Sequence, residues 1–235
     1  MWQTISEMRR LPSVHVQLHG DTVCKEAHKS FTRRHPRYKI IQAKRWGVAL
    51  VALPPTFDEY LRGTKRQAVR TNRNRALVQG FVFKQVDPTT YLDDILAVNQ
   101  SMPIRSGRPM DEPYVAVDDL VAYFADKPRI YGLINSEGSL RAYAYARVCG
   151  EVFVLSRLLG HGDDLNQGVM YLLVTEVIRE MIGLRQRKGT PVWGMYDTFF
   201  GATPGTSYFK RRLGFEAYKV TWHWGTNQSN RKRRA

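Results

Sequence analysis

Cysteines and long apolar runs are both scarce in this chain of 235 residues. Its two cysteines, Cys24 and Cys149, lie far apart, so no disulfide framework follows and a reducing compartment fits. The longest apolar stretches, residues 46–55 and 168–182, are too short or too interrupted to span a bilayer. Residues 1–12 mix charge with polarity and do not resemble a secretory signal. We therefore expect a cytoplasmic protein without a membrane span.

Acidic residues are also few in this chain. Against 36 Lys and Arg there are only 21 Asp and Glu, which gives a net charge of +15. Without the four cations of residues 231–234 the charge is still +11, so the excess does not belong to this tail alone. Such an excess favours a polyanionic partner, namely a nucleic acid, a nucleotide cofactor or an acidic membrane surface, although it also serves solubility. Apolar residues make up 43% of the chain, which supports a packed core rather than wholesale disorder.

Positive charge is concentrated in residues 64–80, "TKRQAVRTNRNRALVQG", which contain no acidic residue. The five cations are Lys65, Arg66, Arg70, Arg73 and Arg75. Arg66, Arg70 and Arg73 follow helical spacing, so we expect them on one face of a helix. Three roles compete for that face. It is solvated and paired with acids from elsewhere in the fold, it grips a polyanion, or it docks a phosphate-bearing cofactor or substrate.

The hydrophobic pattern predicts a mixed α/β protein. Residues 46–54 read as a buried strand. Thr56 and Glu59 have the spacing of a capping box for the helices that follow. Gly63 is expected to divide these helices and Gly80 to end them.

The second half of the chain has a regular order of predicted elements. After residue 129 this order is three strands, a long helix, a strand, a short helix and a final strand. The predicted organisation is an N-terminal extension, partly packed on the core, over residues 1–45, one domain over 46–224 and a basic tail over 225–235.

Several stretches carry a family likeness. They are the strands "IYGLINSEGSLRAYAYARVCGEVFVLSR", the helix opening "NQGVMYLL", the strand "VWGMYD" and the terminal "YFKRRLGFEAY". Together they resemble an acyltransferase of the GNAT superfamily. The first half, "FDEYLRGTKRQAVRTNRNRALVQGFVFKQV", resembles the basic helix of the FemAB-like branch, as "SYFKRRLGF" resembles its Phe-Lys-x-x-x-Gly ending. The resemblance implies a GNAT-like mixed, mostly antiparallel sheet with a crossover helix between two central strands.

The resemblance also implies a reaction. Such proteins form an amide by transferring an acyl group, usually from acyl-CoA such as acetyl-CoA, to an amine. FemAB-like relatives often use aminoacyl-tRNA instead, which would also account for the charge of +15. A GNAT-fold enzyme that modifies nucleic acid is a third alternative. A catalytically inactive nucleic-acid-binding module is a fourth, and Trp222 and Trp224 near the basic tail would suit it. No metal is expected, and the residues do not indicate an oligomeric state.

In this family the donor's pyrophosphate is held at the start of the crossover helix, where backbone N–H groups and the helix dipole favour anions. Two registers compete here. The string from Arg157 to Gly162 matches the family pattern literally, but six residues separate it from the helix. The register that opens the helix has an eroded pattern. The predicted cofactor-binding residues are Leu155, Arg157, Gln167, Gly168, Val169 and Lys210.

The same resemblance predicts a catalytic cleft where the strand over residues 151–157 splays from its neighbour. The oxyanion donor is expected near Leu155 or Ser156, and Ser156 is expected to position substrate. Asp197 is predicted to accept a proton from the amine, unless it is a helix cap or loop anchor. Tyr208 is predicted to protonate the leaving group, unless it is a half-buried packing residue. Lys210 is predicted to hold a phosphate or carboxylate.

Two further groups of residues are candidates for binding. Arg105 and Arg108 lie on a turn-rich loop that would cover the acceptor, or are simply solvated. His15, His19, Cys24 and His28 fall within fourteen residues, and helical spacing would give them a geometry that zinc accepts. The same segment also reads as an edge strand and a loop, which is the reading consistent with no metal.

Overall fold

The computed structural model describes residues 10–36, 39, 41–105, 107–127 and 129–225. The strands are β1 (Ser13–Leu18), β2 (Val48–Ala52), β3 (Val82–Val86), β4 (Ile104–Arg105), β5 (Arg108–Pro109), β6 (Ile130–Ile134), β7 (Leu140–Cys149), β8 (Val152–Gly160), β9 (Trp193–Thr198) and β10 (Glu216–Trp224). The helices are α1 (Thr22–Thr32), α2 (Phe57–Leu61), α3 (Gln67–Val78), α4 (Leu92–Gln100), α5 (Val117–Phe124), α6 (Val169–Lys188) and α7 (Pro204–Arg212). Short 3-10 turns cover Thr64–Arg66, Glu112–Tyr114 and Gly162–Gln167.

Eight strands form the main sheet, in the order β1-β10-β2-β9-β8-β7-β6-β3. The pair β8–β9 is parallel and is joined by the long helix α6, whereas most other pairs are antiparallel. The edge strand β1 adds a second parallel pair with β10. This topology confirms the predicted fold class, a mostly antiparallel sheet with a crossover helix between two central strands.

The helices lie on both faces of the sheet. Along β2, Ala49 and Val51 pack with α2, α3, α6 and α7, whereas Val48 and Leu50 pack with α1. Along β7, Ala142 belongs to the first of these clusters, and its neighbour Tyr143 packs with α4 and α5. Since successive side chains of a strand point to opposite faces, α1, α4 and α5 share the face opposite α6.

The local signals around α2 and α3 act as the sequence predicts. The Thr56 hydroxyl oxygen accepts a hydrogen bond from the Glu59 backbone N–H, at 3.2 Å, and thereby caps α2. Gly63 lies between α2 and the next turn with a φ of 91°, which favours glycine. Gly80, with a φ of 83°, follows the end of α3.

Most cations of residues 64–80 fasten α3 to the rest of the fold. Arg66 donates to the backbone carbonyls of Tyr60 and Arg212, at 3.3 and 2.9 Å. Arg70 donates to the carbonyls of Leu61 and Gly63, at 2.5 and 2.9 Å. These arginines close the junction between α2, α3 and α7.

The remaining arginines of the segment reach α6 and the turn before it. Arg73 forms an ion pair with Glu176, with 2.6 Å between Nη2 and Oε1. Arg75 donates to the carbonyl of Asn166 at 2.9 Å. Of the five cations, only Lys65 makes no hydrogen bond or ion pair within the described residues. The geometry therefore favours a structural role for the arginines, and polyanion binding by this helix stays a prediction.

The two cysteines form a disulfide between α1 and the end of β7. Cys24 and Cys149 are bonded through sulfur, with 5.3 Å between their Cα atoms. The inference that no disulfide follows from their separation is wrong, because α1 packs on the sheet and brings residues 125 positions apart into contact. The argument for a reducing compartment rested on unpaired cysteines and loses its basis.

Part of the predicted N-terminal extension lies within the sheet architecture. β1 supplies an edge strand, and α1 covers the β1–β10–β2 region. The boundary near residue 45 stays a prediction, and the basic tail beyond residue 225 lies outside the described residues. Membrane crossing by a helix has no candidate in the described part of the chain, where α6, the longest helix, carries several charged residues.

The Arg73–Glu176 pair yields a test of what holds α3 in place. Its side chains are only 12% and 10% exposed. Glu176→Leu leaves Arg73 buried without its carboxylate, so we expect the free energy of unfolding to fall by about 3 kcal/mol in urea denaturation. Arg73→Met should cost less, because Arg179 still lies 3.3 Å from Glu176.

The double variant is the control for this prediction. Arg73→Met with Glu176→Leu removes both charges, so it should recover most of the stability lost in Glu176→Leu. Lys65→Met, at an exposed site, should change the free energy of unfolding by less than about 0.5 kcal/mol. A double variant no more stable than Glu176→Leu would contradict the structural role of the pair.

Candidate functional site in the cleft between β8 and β9

The two central parallel strands part after a short contact. Their register pairs are Val152 with Trp193, Phe153 with Gly194, and Val154 with Met195. Beyond these pairs, β8 remains paired with β7, while β9 remains paired with β2. A gap therefore opens between the two strands at the stretch where the sequence predicted a splay.

A β-bulge marks the β8 side of this gap. Leu159 is paired with Tyr143 and Ser156 with Tyr145, so Arg157 and Leu158 lie opposite a single β7 residue. Arg157 has a φ of 42°, in the left-handed region that a long side chain adopts only under constraint. Bulges re-aim a side chain and interrupt a ladder, and they are frequent beside active sites.

A cavity of about 740 Å³ fills the gap. Six of the predicted site residues line it together, namely Arg105, Arg108, Leu155, Ser156, Arg157 and Asp197. They come from three separate stretches of chain, β4–β5, β8 and β9, which the sheet order brings together. The Ser156 hydroxyl lies 3.4 Å from the carbonyl of Tyr145, to which it donates.

The cleft also contains residues that sequence reasoning missed. Phe31 and Lys44 enter it from the N-terminal region, and Tyr114 enters from the turn after β5. Tyr196 on β9 is a fourth, and burial raises its pKa to about 12. No local signal marks Phe31 or Lys44, because only the packing of α1 on the sheet carries them to the cleft.

Asp197 stands at the end of β9, in a left-handed conformation with a φ of 54°. Its carboxylate forms an ion pair with Lys44, and its side chain is 59% exposed. The residue is thus both anchored and accessible. An exposed carboxylate held by a lysine at the cleft is compatible with the predicted role as proton acceptor, which stays a prediction.

Lys210 lies behind the end of β9 rather than in the cleft lining. The residue is only 2% exposed, and its Nζ donates to the carbonyl of Thr198 at 2.8 Å. Nζ also lies 4.6 Å from the centroid of the Tyr196 ring. Burial lowers the pKa of this lysine to about 8, an effect that nearby Asp197 partly opposes. This geometry favours a role in fixing β9, and the holding of an anion by Lys210 stays a prediction.

Tyr208 is not part of the cleft lining. Its side chain lies on α7, is 55% exposed and has the Arg212 guanidinium 4.8 Å from the ring centroid. It does not line the 740 Å³ cavity. The predicted proton donation by Tyr208 would therefore require substrate to reach the α7 side of the sheet.

The start of α6 is the second position at which the sequence predicted binding of donor phosphates. It packs directly against α3. Gly168 has a φ of 85°, and a Cβ atom there would lie 2.1 Å from the carbonyl oxygen of Asn72. Gln167 donates to Asp164 at 3.2 Å, so its amide is also engaged. Val169 is fully buried. Gly168 therefore lies in close contact with the backbone of α3.

Polar groups at the first predicted position, residues 157–162, also have partners within the protein. The backbone N–H of Gly162 donates to the Ser101 hydroxyl at 2.9 Å, and His161 contacts Arg141 at 2.9 Å. Donor-phosphate binding by these residues stays a prediction.

A second cavity, of about 760 Å³, lies on the α2–α7 side of the molecule. Its cations are Arg62, Lys65, Arg66 and Arg211, its carboxylates are Glu59 and Glu216, and Phe199 and Phe200 add aromatic surface. Two of the residues predicted to bind a polyanion, Lys65 and Arg66, are here, whereas Arg70 and Arg73 line neither cavity.

The histidines near the N-terminus do not gather around a shared point. Cys24 is in the disulfide, His15 contacts His223 at 2.9 Å, and the His28 ring packs near Trp224. Within the described ranges, no group of three or more His, Cys, Asp or Glu side chains has a geometry that could hold a metal ion.

Comparison with known proteins finds similarity in structure but not in sequence. No protein-family model and no curated protein sequence matches the chain. Solved structures do: FemX has 9% identity over 73% of this chain and 59% of its own, with a TM-score of 0.54. A conserved protein of unknown function from Bacteroides thetaiotaomicron has 14% identity over 74% of this chain and 58% of its own, with a TM-score of 0.52. L-PGS from Bacillus licheniformis has 15% identity over 73% and 59%, with a TM-score of 0.49.

At these identities the shared property is the fold. The chain shares its fold with FemX, which confirms the GNAT-like fold that the resemblance implied. It is thus built on the fold of the GNAT acyltransferases. The chain spans less than three fifths of the length of these solved proteins, the largest share being 59%.

The burial of Lys210 predicts how the free energy of unfolding depends on pH. Because its folded pKa, about 8, lies below the ordinary value of 10.5, the unfolded chain binds more protons between these values. The lysine therefore costs stability at pH 8, and this cost fades as the pH rises. We expect the free energy of unfolding of the native protein, relative to Lys210→Met, to rise by about 2 kcal/mol between pH 8 and pH 10.

Urea denaturation of both proteins across this pH range measures the difference. Tyrosines that titrate in the same range are present in both proteins, so their contribution cancels. A difference that does not depend on pH would show that the Lys210 ammonium is not desolvated in the folded state.

Proposed function

We propose that this protein is an N-acyltransferase whose reaction takes place in the cleft between β8 and β9. An activated acyl group would enter the gap, and an amine would attack its carbonyl carbon. The new C–N bond forms, the bond to the carrier breaks, and the amine loses one proton while the carrier gains one. The observation that carries the proposal is the parting of β8 and β9 around a 740 Å³ cavity, within a GNAT fold.

Stabilisation of the tetrahedral oxyanion is assigned to backbone N–H groups of β8. Beyond Val154 the strand has no partner on β9, so the amides that point towards β9 have no carbonyl there to bind. The candidate donors lie between Leu155 and Leu158, the stretch that contains the bulge. Preorganised amides of this kind act most strongly where charge develops in the transition state. Ser156 lies in the same stretch and would position the acyl group.

Removal of the amine proton is assigned to Asp197. Its carboxylate is exposed at the cleft, and its ion pair with Lys44 holds it in one orientation. A carboxylate in this position can accept the proton directly or through a water molecule. Lys44 would act as a positioning residue for Asp197.

Among the donors considered from the sequence, the geometry favours aminoacyl-tRNA over acyl-CoA. At the start of α6, where acyl-CoA phosphates would be expected, Gly168 packs tightly against the Asn72 backbone of α3. The second cavity offers Arg62, Lys65 and Arg211 at its surface, in a protein with a net charge of +15. Cations so placed bind phosphates without reading sequence.

A binding experiment separates the two donors. We expect calorimetry to detect no saturable binding of acetyl-CoA at millimolar concentration, and fluorescence anisotropy to detect salt-dependent binding of aminoacylated tRNA. Arg62→Gln with Lys65→Gln should lower the slope of log affinity against log salt by about 2, since two phosphate contacts are lost. Arg187→Gln with Lys188→Gln, at exposed positions on α6, is the charge-matched control. Saturable acetyl-CoA binding would restore acyl-CoA as the donor.

A turnover experiment tests the reaction itself. The protein is incubated with tRNA charged with labelled amino acids and a pool of small amines, and amide products are detected by mass spectrometry. Asp197→Asn should lower the rate about 100-fold, because it removes a general base. Asp93→Asn, at an exposed position of α4, should leave the rate unchanged. If tRNA binds but no amide forms, either from charged tRNA or in a parallel incubation with acetyl-CoA, the protein is a nucleic-acid-binding module rather than a transferase.

A further inference from the structure

Arg157 has a hydrogen-bonding capacity that the protein does not use. Its guanidinium carbon lies 4.2 Å from the centroid of the Tyr114 ring and 3.6 Å from that of Tyr123. Its Nη2 donates to the carbonyl of Pro113 at 3.4 Å, but its Nη1 is buried and has no partner among the described residues. No carboxylate in the described chain pairs with it. Two aromatic rings therefore hold this guanidinium at the cleft with a charged donor unsatisfied.

Arg105 repeats the pattern on the same cavity. Its Nη2 donates to the carbonyls of Val98 and Gly160, at 2.6 and 3.0 Å. Its Nε is buried without a partner among the described residues, and burial lowers the pKa of the group. Unsatisfied buried donors are rare in folded proteins, and charged ones are the most costly. Both residues line the same cavity, so a small side-chain movement would bring these donors to an anion bound there.

The net charge around this part of the cleft is positive. Lys44 and Asp197 neutralise each other, which leaves Arg105, Arg108 and Arg157 against the single carboxylate of Asp111. The excess favours an anion. Guanidinium forks match the oxygen pairs of carboxylate and phosphate groups, which they bind more specifically than a lysine does.

The position of the two arginines assigns the anion to the acceptor rather than to the donor. Arg105 donates to the Val98 carbonyl on α4, and Arg157 contacts Tyr114 in the turn before α5 and Tyr123 on α5, on the face of the sheet opposite α6. The cationic second cavity, with Tyr60 and Phe215 in its lining, lies on the α6 face. Donor phosphates on one face and an anionic acceptor on the other would meet at the gap between β8 and β9.

From these observations we infer that the acceptor is a small amine that carries a carboxylate or phosphate group, which Arg105 and Arg157 bind. That the bound molecule is an acceptor rests on the proposed function. The existence of the anion site does not depend on turnover. A cavity of about 740 Å³ has the size of small-molecule sites in proteins. The group bound by the arginines would leave the amine directed towards Asp197.

Binding of simple anions tests the site without any donor. Nitrogen-15 NMR of the full chain follows the arginine Nε–H resonances during titration with inorganic phosphate and, separately, with acetate. We expect saturable shifts of the Arg105 and Arg157 resonances. Arg157→Lys keeps the charge but removes the fork, so it should weaken binding about tenfold. Arg105→Lys provides a second variant if Arg157→Lys does not fold, and Arg187→Lys is the matched control outside the cleft.

The outcome of this titration is decisive in either direction. Shifts confined to the two resonances and weakened by the cleft variants support the site. Absence of saturable shifts, or equal affinity in Arg157→Lys, Arg105→Lys and the native protein, overturns it. Shifts of equal size at Arg187 would show non-specific association with a basic surface, which also overturns it.

A comparison of anionic and neutral amines as acceptors identifies the bound anion. It also tests this inference separately from the proposed function. Glycine is compared with glycinamide, and phosphoethanolamine with ethanolamine, each with charged tRNA as donor. We expect the anionic member of one pair to be used at least about tenfold more efficiently in kcat/KM, and the pair concerned identifies carboxylate or phosphate. Equal use of neutral and anionic amines would overturn the inference and leave the transferase intact. Anion binding at Arg157 without any amide product would overturn the proposed function and leave the anion site intact.

Discussion

The early parting of β8 and β9 is the constraint on which the rest of the site depends. The two strands share three register pairs, and a parallel pair requires a crossover, which the 20 residues of α6 provide. Beyond that contact each strand follows a different neighbour, so backbone groups that face the gap have no strand to pair with. The bulge at Arg157 lies directly above this point and turns a long cationic side chain out of the ladder. The cleft is therefore a product of strand order rather than of a loop.

Positive charge has two distinct uses in this fold, and hydrogen-bond satisfaction distinguishes them. Arg66, Arg70 and Arg73 direct their donors to protein carbonyls or to a carboxylate, and thereby attach α3 to its neighbours. Arg105 and Arg157 line a cavity and instead keep buried donors that have no partner in the described part of the chain. The first group is concentrated in sequence and attracts attention as a motif. The second is dispersed, and its shared property appears only when the sheet has been assembled.

The fold was more accessible from the sequence than the site. Strands and helices after residue 46 have clear periodicity, and caps such as Thr56 mark their ends, so their order and the crossover could be predicted. The N-terminal extension was expected to pack partly on the core, but helix α1 was not predicted, since Cys24 and Phe31 are the only buried residues among its 11 and leave little apolar periodicity in the sequence. The partners of the α3 arginines are mostly backbone carbonyls, which have no sequence signature. Contacts such as that of Arg157 with Tyr123 join residues 34 positions apart through packing alone.

The described residues before position 46, here called the N-terminal arm, limit how the chain can be truncated. Phe31 and Lys44 form one side of the cleft, and the sulfur bridge at Cys24 fastens this arm to the central strands. A fragment trimmed to the portion that looks like a transferase, starting at residue 46, would lose that side wall and leave Asp197 without its counter-ion. The recognisable domain is thus smaller than the working unit.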